Sequence, residues 1–139
     1  MKIIIVSQYF FPEEFLVNDF AWGLERRGHD VIVFTGLPNY PSGKFFKGYS
    51  IFSGPYKEVI NGITIHRVPI LPRGNSCGWR LALNYISFVL SGILGGLIFG
   101  GQRFDCILVY QMSPVTMGIP ARFIKWFTKS QLVFWIHDL

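Results

Sequence analysis

Charge is scarce in this sequence. Of 139 residues, 15% are Asp, Glu, Lys or Arg, against about 25% in ordinary globular domains. Half are hydrophobic and 17% aromatic, which excludes a disordered chain, a low-complexity tract and a coiled coil. Cysteine is nearly absent too. Cys77 and Cys106 are the only two, without C-x-x-C spacing, so neither a disulfide framework nor a zinc site is indicated and a reducing compartment fits. There is no Walker loop, G-x-G-x-x-G, G-x-S-x-G, H-E-x-x-H or paired metal-ligand motif, so no metal is expected. Ile3–Val6 is the only strongly apolar run near the start, too short for a signal peptide, which makes the expected location cytoplasmic.

The charge that is present is unevenly placed. Residues 1–70 carry seven positive and six negative side chains, whereas residues 71–139 carry six positive and two negative. Basic charge set among apolar and aromatic residues suits an anionic membrane surface at least as well as nucleic acid, where it is denser and follows a groove, and no nucleic-acid partner is expected. The length suits one domain that buries roughly two-thirds of its unfolded surface.

Hydrophobic patterning predicts an α/β fold. Residues 2–7 read as a strand buried on both faces. After Pro12, Glu13 and Glu14 favour a helix start, Val17, Phe20 and Leu24 recur at helical spacing, and Gly28 can cap the end. Val31–Thr35 then completes a βαβ unit, the opening of a doubly wound, mostly parallel, Rossmann-like sheet. Residues 36–55 read as a long loop, and Asn61-Gly62 joins strands Tyr56–Ile60 and Ile63–Val68 in a hairpin. Asp105–Tyr110 and Gln131–His137 read as further strands, separated by a helix from Ser113-Pro114 to about Lys129 that Pro120 is expected to kink.

Residues 81–102 contain no charge and as a helix would extend about 33 Å. Three readings stay open. A transmembrane span fits the length and the spacing of Gly92, Gly96 and Gly100, although it would place later strands across a bilayer from earlier ones. A crossover helix could instead pack the small, polar stripe of Asn84, Ser87, Ser91 and Gly95 on the sheet. The third keeps that helix and lays its Leu, Ile and Phe surface in the bilayer interface. Its membrane-contact residues would be Trp79, Arg80, Tyr85 and Arg103, with Arg122, Lys125 and Lys129 near one face of the next helix; the alternative for these last three is a merely solvated face.

Two segments are candidates for chemistry. His137 and Asp138 follow the last strand, where doubly wound folds bind ligands; His137 either contacts a substrate or merely caps the strand. The loop Gly36–Lys44 borders the same crevice, where Asn39 and Tyr40 could offer hydrogen bonds or a stacking ring and Lys44 could meet a phosphate, the alternative being a rigid loop without function.

Read together, Ser7-Gln8-Tyr9-Phe10-Phe11-Pro12-Glu13, Asn18-Asp19, Arg27-Gly28-His29-Asp30-Val31, Thr35-Gly36-Leu37-Pro38-Asn39-Tyr40-Pro41-Ser42-Gly43 and Trp135-Ile136-His137-Asp138-Leu139 resemble the N-terminal half of a family 4 glycosyltransferase of the two-Rossmann GT-B architecture. The T-G-x-P-N-Y-P-x-G loop is similar to that of the O-antigen, capsule and colanic-acid subgroup. The resemblance implies sugar transfer with retained anomeric configuration, from a nucleotide-sugar held mainly by a C-terminal domain to a polyprenyl-diphosphate-linked saccharide held by this one, at the inner face of the cytoplasmic membrane. No cofactor beyond the donor co-substrate is implied. His137 and Asp138 match catalytic positions, Asn39, Tyr40 and Lys44 become acceptor-binding, and Phe11, Pro12 and Glu13 line the cleft loop. Residues 1–139 are then a single, incomplete acceptor-side domain. The family's E-x7-E carboxylates belong to a domain beyond these residues, so this segment alone is expected to be inactive. The alternative is a non-catalytic membrane-docking or interaction module.

Overall fold

The computed structural model describes residues 1–111 and 115–136. β-Branched runs, whose stiff side chains suit a pleated and covered surface, form β1 (Lys2–Val6), β2 (Asp30–Gly36), β3 (Lys57–Ile60), β4 (Ile63–Val68), β5 (Cys106–Gln111) and β6 (Gln131–Ile136). They make one sheet in the order β3-β4-β2-β1-β5-β6, parallel except for the β3–β4 hairpin. At the tip of that hairpin Asn61 and Gly62 both take positive φ, 49° and 84°, as a type I′ turn requires. The expected Rossmann-like α/β fold is the observed one.

Side chains alternate across β1, so the sheet has two cores. Ile3 and Ile5 face α1 (Leu16–Arg26) with Val33, Ile65, Val17 and Ala21. Ile4 and Val6 face α2 (Gly78–Gly95) and α3 (Gly118–Thr128) with Phe34, Val109, Phe88 and Ile124. One helix therefore covers one face and two cover the other. β6, paired with β5, keeps Val133, Phe134 and Ile136 more than two-fifths exposed.

Three local expectations are corrected. α1 begins at Leu16 with Phe15 as its extended N-cap, because the Glu13 carboxylate is engaged elsewhere. The charge-free run is not one α-helix. It is α-helical to Gly95, tightens to a 3₁₀ turn over Gly96–Phe99, and stops where Gly101 takes a φ of +81°. Pro120 does not kink α3, since it sits in the first turn, where backbone N–H groups have no intrahelical acceptor to lose.

α2 runs between β4 and β5, which belong to the same sheet through β2 and β1. A helix crossing a bilayer between them would break that sheet. The small-residue stripe instead faces inward. A Cβ on Gly92 would lie 2.7 Å from Pro120 Cγ, and one on Gly95 would lie 2.6 Å from Val68. These glycines are close-packing contacts, as the crossover reading expects. The opposite side of α2 remains open, although by length and composition the segment Gly78–Phe99 is apolar enough to cross a membrane. Leu83, Ile86, Leu90, Leu94 and Leu97 are 40–70% exposed.

Candidate functional site

The direction of strand addition reverses at β1, with β2 and β4 on one side and β5 and β6 on the other. That places the ligand crevice of a doubly wound sheet at its carboxyl edge where β1 adjoins β5, and the loops after β1, β2 and β4 gather on the β1 side of it. Glu13 holds the first two of these loops together. Its side chain is 1% exposed, and its carboxylate accepts N–H bonds from Phe10 at 3.3 Å, Asn39 at 3.1 Å and Tyr40 at 2.8 Å. Burial pushes the acid up to about 7, even though the three donors and the Arg67 charge favour the carboxylate. Glu13 is thus a staple beneath the crevice and not a helix-start residue.

The third loop is tied in by Asn39. Its Oδ1 accepts the Arg73 N–H at 3.0 Å while its Nδ2 donates to the Leu37 carbonyl at 3.1 Å. The side chain is buried and structural as it stands. A few residues on, Gly74 N–H donates to the Gly43 carbonyl at 2.9 Å. A Cβ on Gly43 would fall 1.7 Å from Gly74 O, so no other residue permits this junction.

Arg67 supports the same loops from below. It is buried, pairs with Glu58 at 2.8 Å, and donates to the Gly36 and Phe11 carbonyls. The walls above are aromatic. Tyr9, Phe15 and Tyr40 pack with centroids 5.0–5.8 Å apart, and the Arg73 guanidinium lies 4.9 Å from the Tyr40 ring centre and 5.7 Å from that of Tyr9. Burial raises the Tyr9 phenol well above its ordinary range, so it is a neutral hydroxyl at any physiological pH. The arrangement offers cations, hydroxyls and ring faces, a set suited to an anionic or sugar-bearing ligand.

The other expected residues fall in two places. Tyr40 lines the crevice, Lys44 is exposed beside the Gly43 junction, and Phe11 packs edge-on to Trp22 at 5.6 Å. Pro12 is half-buried in the same loop. His137 and Asp138 lie outside the described residues. Among the expected membrane-contact residues, Trp79, Arg80, Arg103, Arg122, Lys125 and Lys129 are exposed. Tyr85 is half-buried beside Tyr9, and so belongs to the crevice side of α2. Trp126 is 74% exposed, and Arg122, Lys125 and Lys129 are around it in a shallow concavity.

A separate pocket of about 600 Å³ lies between β4, α2 and the loop before β3, walled by Phe34, Val68, Leu94, Gly95 and Ile98. It offers little chemistry, because His66 beside it is pushed below its ordinary pKa by burial and Lys57, and Arg67 is already engaged. Among the described residues no three His, Cys, Asp or Glu side chains cluster as a metal site would need.

The sequence matches no family model and no curated protein. Arg73, Tyr9 and Arg67 were missed by sequence reasoning. Arg73 meets Asn39 across 34 positions and Tyr9 across 64, separations that leave no periodic signal.

Proposed function

We propose that this chain is the acceptor-side domain of a retaining glycosyltransferase that works at the inner face of the cytoplasmic membrane. It moves a sugar from a nucleotide-sugar to a polyprenyl-diphosphate-linked saccharide in the synthesis of O-antigen, capsule or exopolysaccharide. The observation that carries the reading is the joining of two surfaces on one rigid body. The carboxyl edge presents the half-buried Tyr40 and Arg73 over the buried Tyr9, and α2 and α3 beside it present exposed leucines, Trp79 and Trp126 with Arg122, Lys125 and Lys129. Such a face suits the interface of an anionic bilayer.

In the transfer, the bond between the sugar and the nucleotide phosphate breaks and a bond to an acceptor hydroxyl forms. The hydroxyl proton passes to the departing phosphate. His137 and Asp138 are assigned to the donor side of this event, and Asn39, Tyr40 and Lys44 to the acceptor side, with Asn39 acting through the loop that it braces.

The test is transfer of labelled sugar from nucleotide-sugars to an extract of bacterial membrane lipids by the full product of the gene. Labelled lipid that falls sharply in His137→Ala supports the reading, and activity unchanged by that variant removes the catalytic assignment. The same exposed α2–α3 face also favours the non-catalytic docking module. That second reading gains if the chain floats with phosphatidylglycerol vesicles, fails to float as Leu90→Glu/Leu94→Glu, and the full gene product transfers no sugar.

A further inference from the structure

We propose that Arg73 and Arg80 form a binding site for a phosphate or diphosphate ester where the crevice meets the start of α2. Arg73 is held in place before any ligand arrives. Its backbone is fixed by Asn39, its guanidinium lies against the Tyr9 and Tyr40 rings, and its Nη1 donates to Tyr9 Oη at 2.9 Å. Among the described residues no carboxylate pairs with it, the single ion pair there being Arg67–Glu58. Its Nε is shut off from solvent without an acceptor. A guanidinium ordered and half-buried in this way has lost hydration that its surroundings do not replace, and a tetrahedral oxyanion meeting its Nη2 edge, which has no acceptor among the described residues, would supply the opposite charge and an acceptor there.

Arg80 brings a second charge to the next residue of the same loop. A Cβ on Gly74 would fall 2.3 Å from Arg80 Nη1, so the absence of a side chain there is what lets the guanidinium rest on the loop next to Arg73. Lys44 adjoins the Gly43–Gly74 junction. The first turn of α2 carries no acidic residue and no side-chain cap, and its free N–H groups add potential of the same sign. Glu13, the carboxylate whose charge Tyr9 feels, is buried with both oxygens engaged by N–H donors.

The exposed apolar stripe of α2 starts at Trp79, over which the Arg80 guanidinium stands at 5.0 Å, and continues through Leu83 and Ile86. An anion held here has apolar surface on one side and the polar crevice on the other. This is the layout for a headgroup that joins a lipid tail to a polar substituent. The lipid source rests on the function proposed above; the anion site itself does not.

Calorimetric titration of the chain with inorganic pyrophosphate tests the site, and titration with farnesyl diphosphate tests the source. Saturable binding that weakens about ten-fold or more in Arg73→Gln and in Arg80→Gln, and is unchanged in Arg27→Gln, an exposed arginine at the end of α1 on the opposite face of the sheet, is the expected result. Arg80 is exposed, so its variant keeps the fold, and Arg73→Lys retains the charge while losing the planar fork. Equal weakening in all three glutamine variants, or no saturable binding by the wild type, overturns the proposal. Tighter binding of farnesyl diphosphate than of pyrophosphate identifies a lipid-linked ligand, and equal affinities identify a free anion in the same site. Absence of sugar transfer with pyrophosphate binding intact would remove the glycosyltransferase reading and leave the site standing.

Discussion

Glu13 should make the protein less stable as the solution becomes less acidic. Its carboxyl is pushed from an ordinary 4.5 up to about 7 by burial, so between those values the folded chain binds a proton that the unfolded chain has released. Stability linked to this group is therefore fully present below about pH 4.5, falls as pH rises through 7, and is flat beyond. Every ten-fold gain in proton affinity on folding is worth about 1.4 kcal/mol, giving a loss of about 3 kcal/mol across the window. Glu13→Gln removes the titration and keeps the shape. Its Oε1 can still accept the Asn39 and Tyr40 N–H groups, and its amide replaces the oxygen facing the Phe10 N–H, the longest of the three contacts at 3.3 Å. That exchange costs about 1 kcal/mol. Urea unfolding of both proteins from about pH 4.5 to about pH 8 gives the comparison. His66, pushed below its usual value, works in the opposite sense, but it is common to both proteins and cancels in the difference. The wild type should lose about 3 kcal/mol relative to the variant. A constant difference would refute the reasoning. A difference that moved in favour of the wild type would mean that the three N–H donors outweigh desolvation.

Two further substitutions probe what holds the crevice and the helix layer in place. Arg67→Met leaves the Gly36 and Phe11 carbonyls without their donor and the half-buried Glu58 carboxylate with the Tyr49 hydroxyl alone, and should cost about 3 kcal/mol in urea unfolding; a cost near zero would mean that the loops after β1 and β2 are held independently of it. Gly92→Val drives a Cβ to 2.7 Å from Pro120 Cγ and should cost about 1–3 kcal/mol by forcing α2 and α3 apart. Gly23→Ala, with nothing within 4 Å of the new methyl, should stabilise α1 by about 0.5–1 kcal/mol.

The fold was legible because parallel strands buried on both faces spell themselves out as β-branched runs, and because Asn61-Gly62 admits few conformations other than a hairpin. The boundaries that went wrong were decided by contacts far along the chain. Glu13 has the composition of a helix start, but it lies beneath a loop that begins two dozen residues later, and the Asn39 and Tyr40 N–H groups claim its oxygens. Asn39 reads as a ligand donor for the same reason that it makes a good brace, since a carboxamide both accepts and donates. Arg73 sits in a Pro-Arg-Gly-Asn stretch that says loop and nothing more. Its meaning comes only from the rings of Tyr9 and Tyr40, which the strand order brings beside it.

The charge-free segment could not disclose its facing from hydrophobicity, because both of its sides lack charge. Residue size decides it. The inward side carries one large group, the fully buried Phe88, and is otherwise built of Asn84, Ser87, Ser91, Gly92 and Gly95, whereas a soluble crossover helix puts most of its large apolar groups inside. Asn84 donates to the Leu71 carbonyl at 2.7 Å and accepts from Gln8 at 2.6 Å, so the buried polar group is satisfied and locates the top of α2 over the crevice. Close approach of the helix backbone then leaves its leucines outside, where a contiguous exposed apolar stripe signals an interaction surface. α1, on the other face of the sheet, mixes exposed Leu16 and Phe20 with Asp19, Arg26 and Arg27. The unbroken apolar stripe is therefore a feature of the α2 face. Because Asn84 joins α2 to Gln8 and to the loop after β4, whatever α2 rests upon is held beside Tyr9, Tyr40 and Arg73. Under the membrane proposal, this is how a water-soluble sugar and a lipid-bound acceptor come to share one crevice.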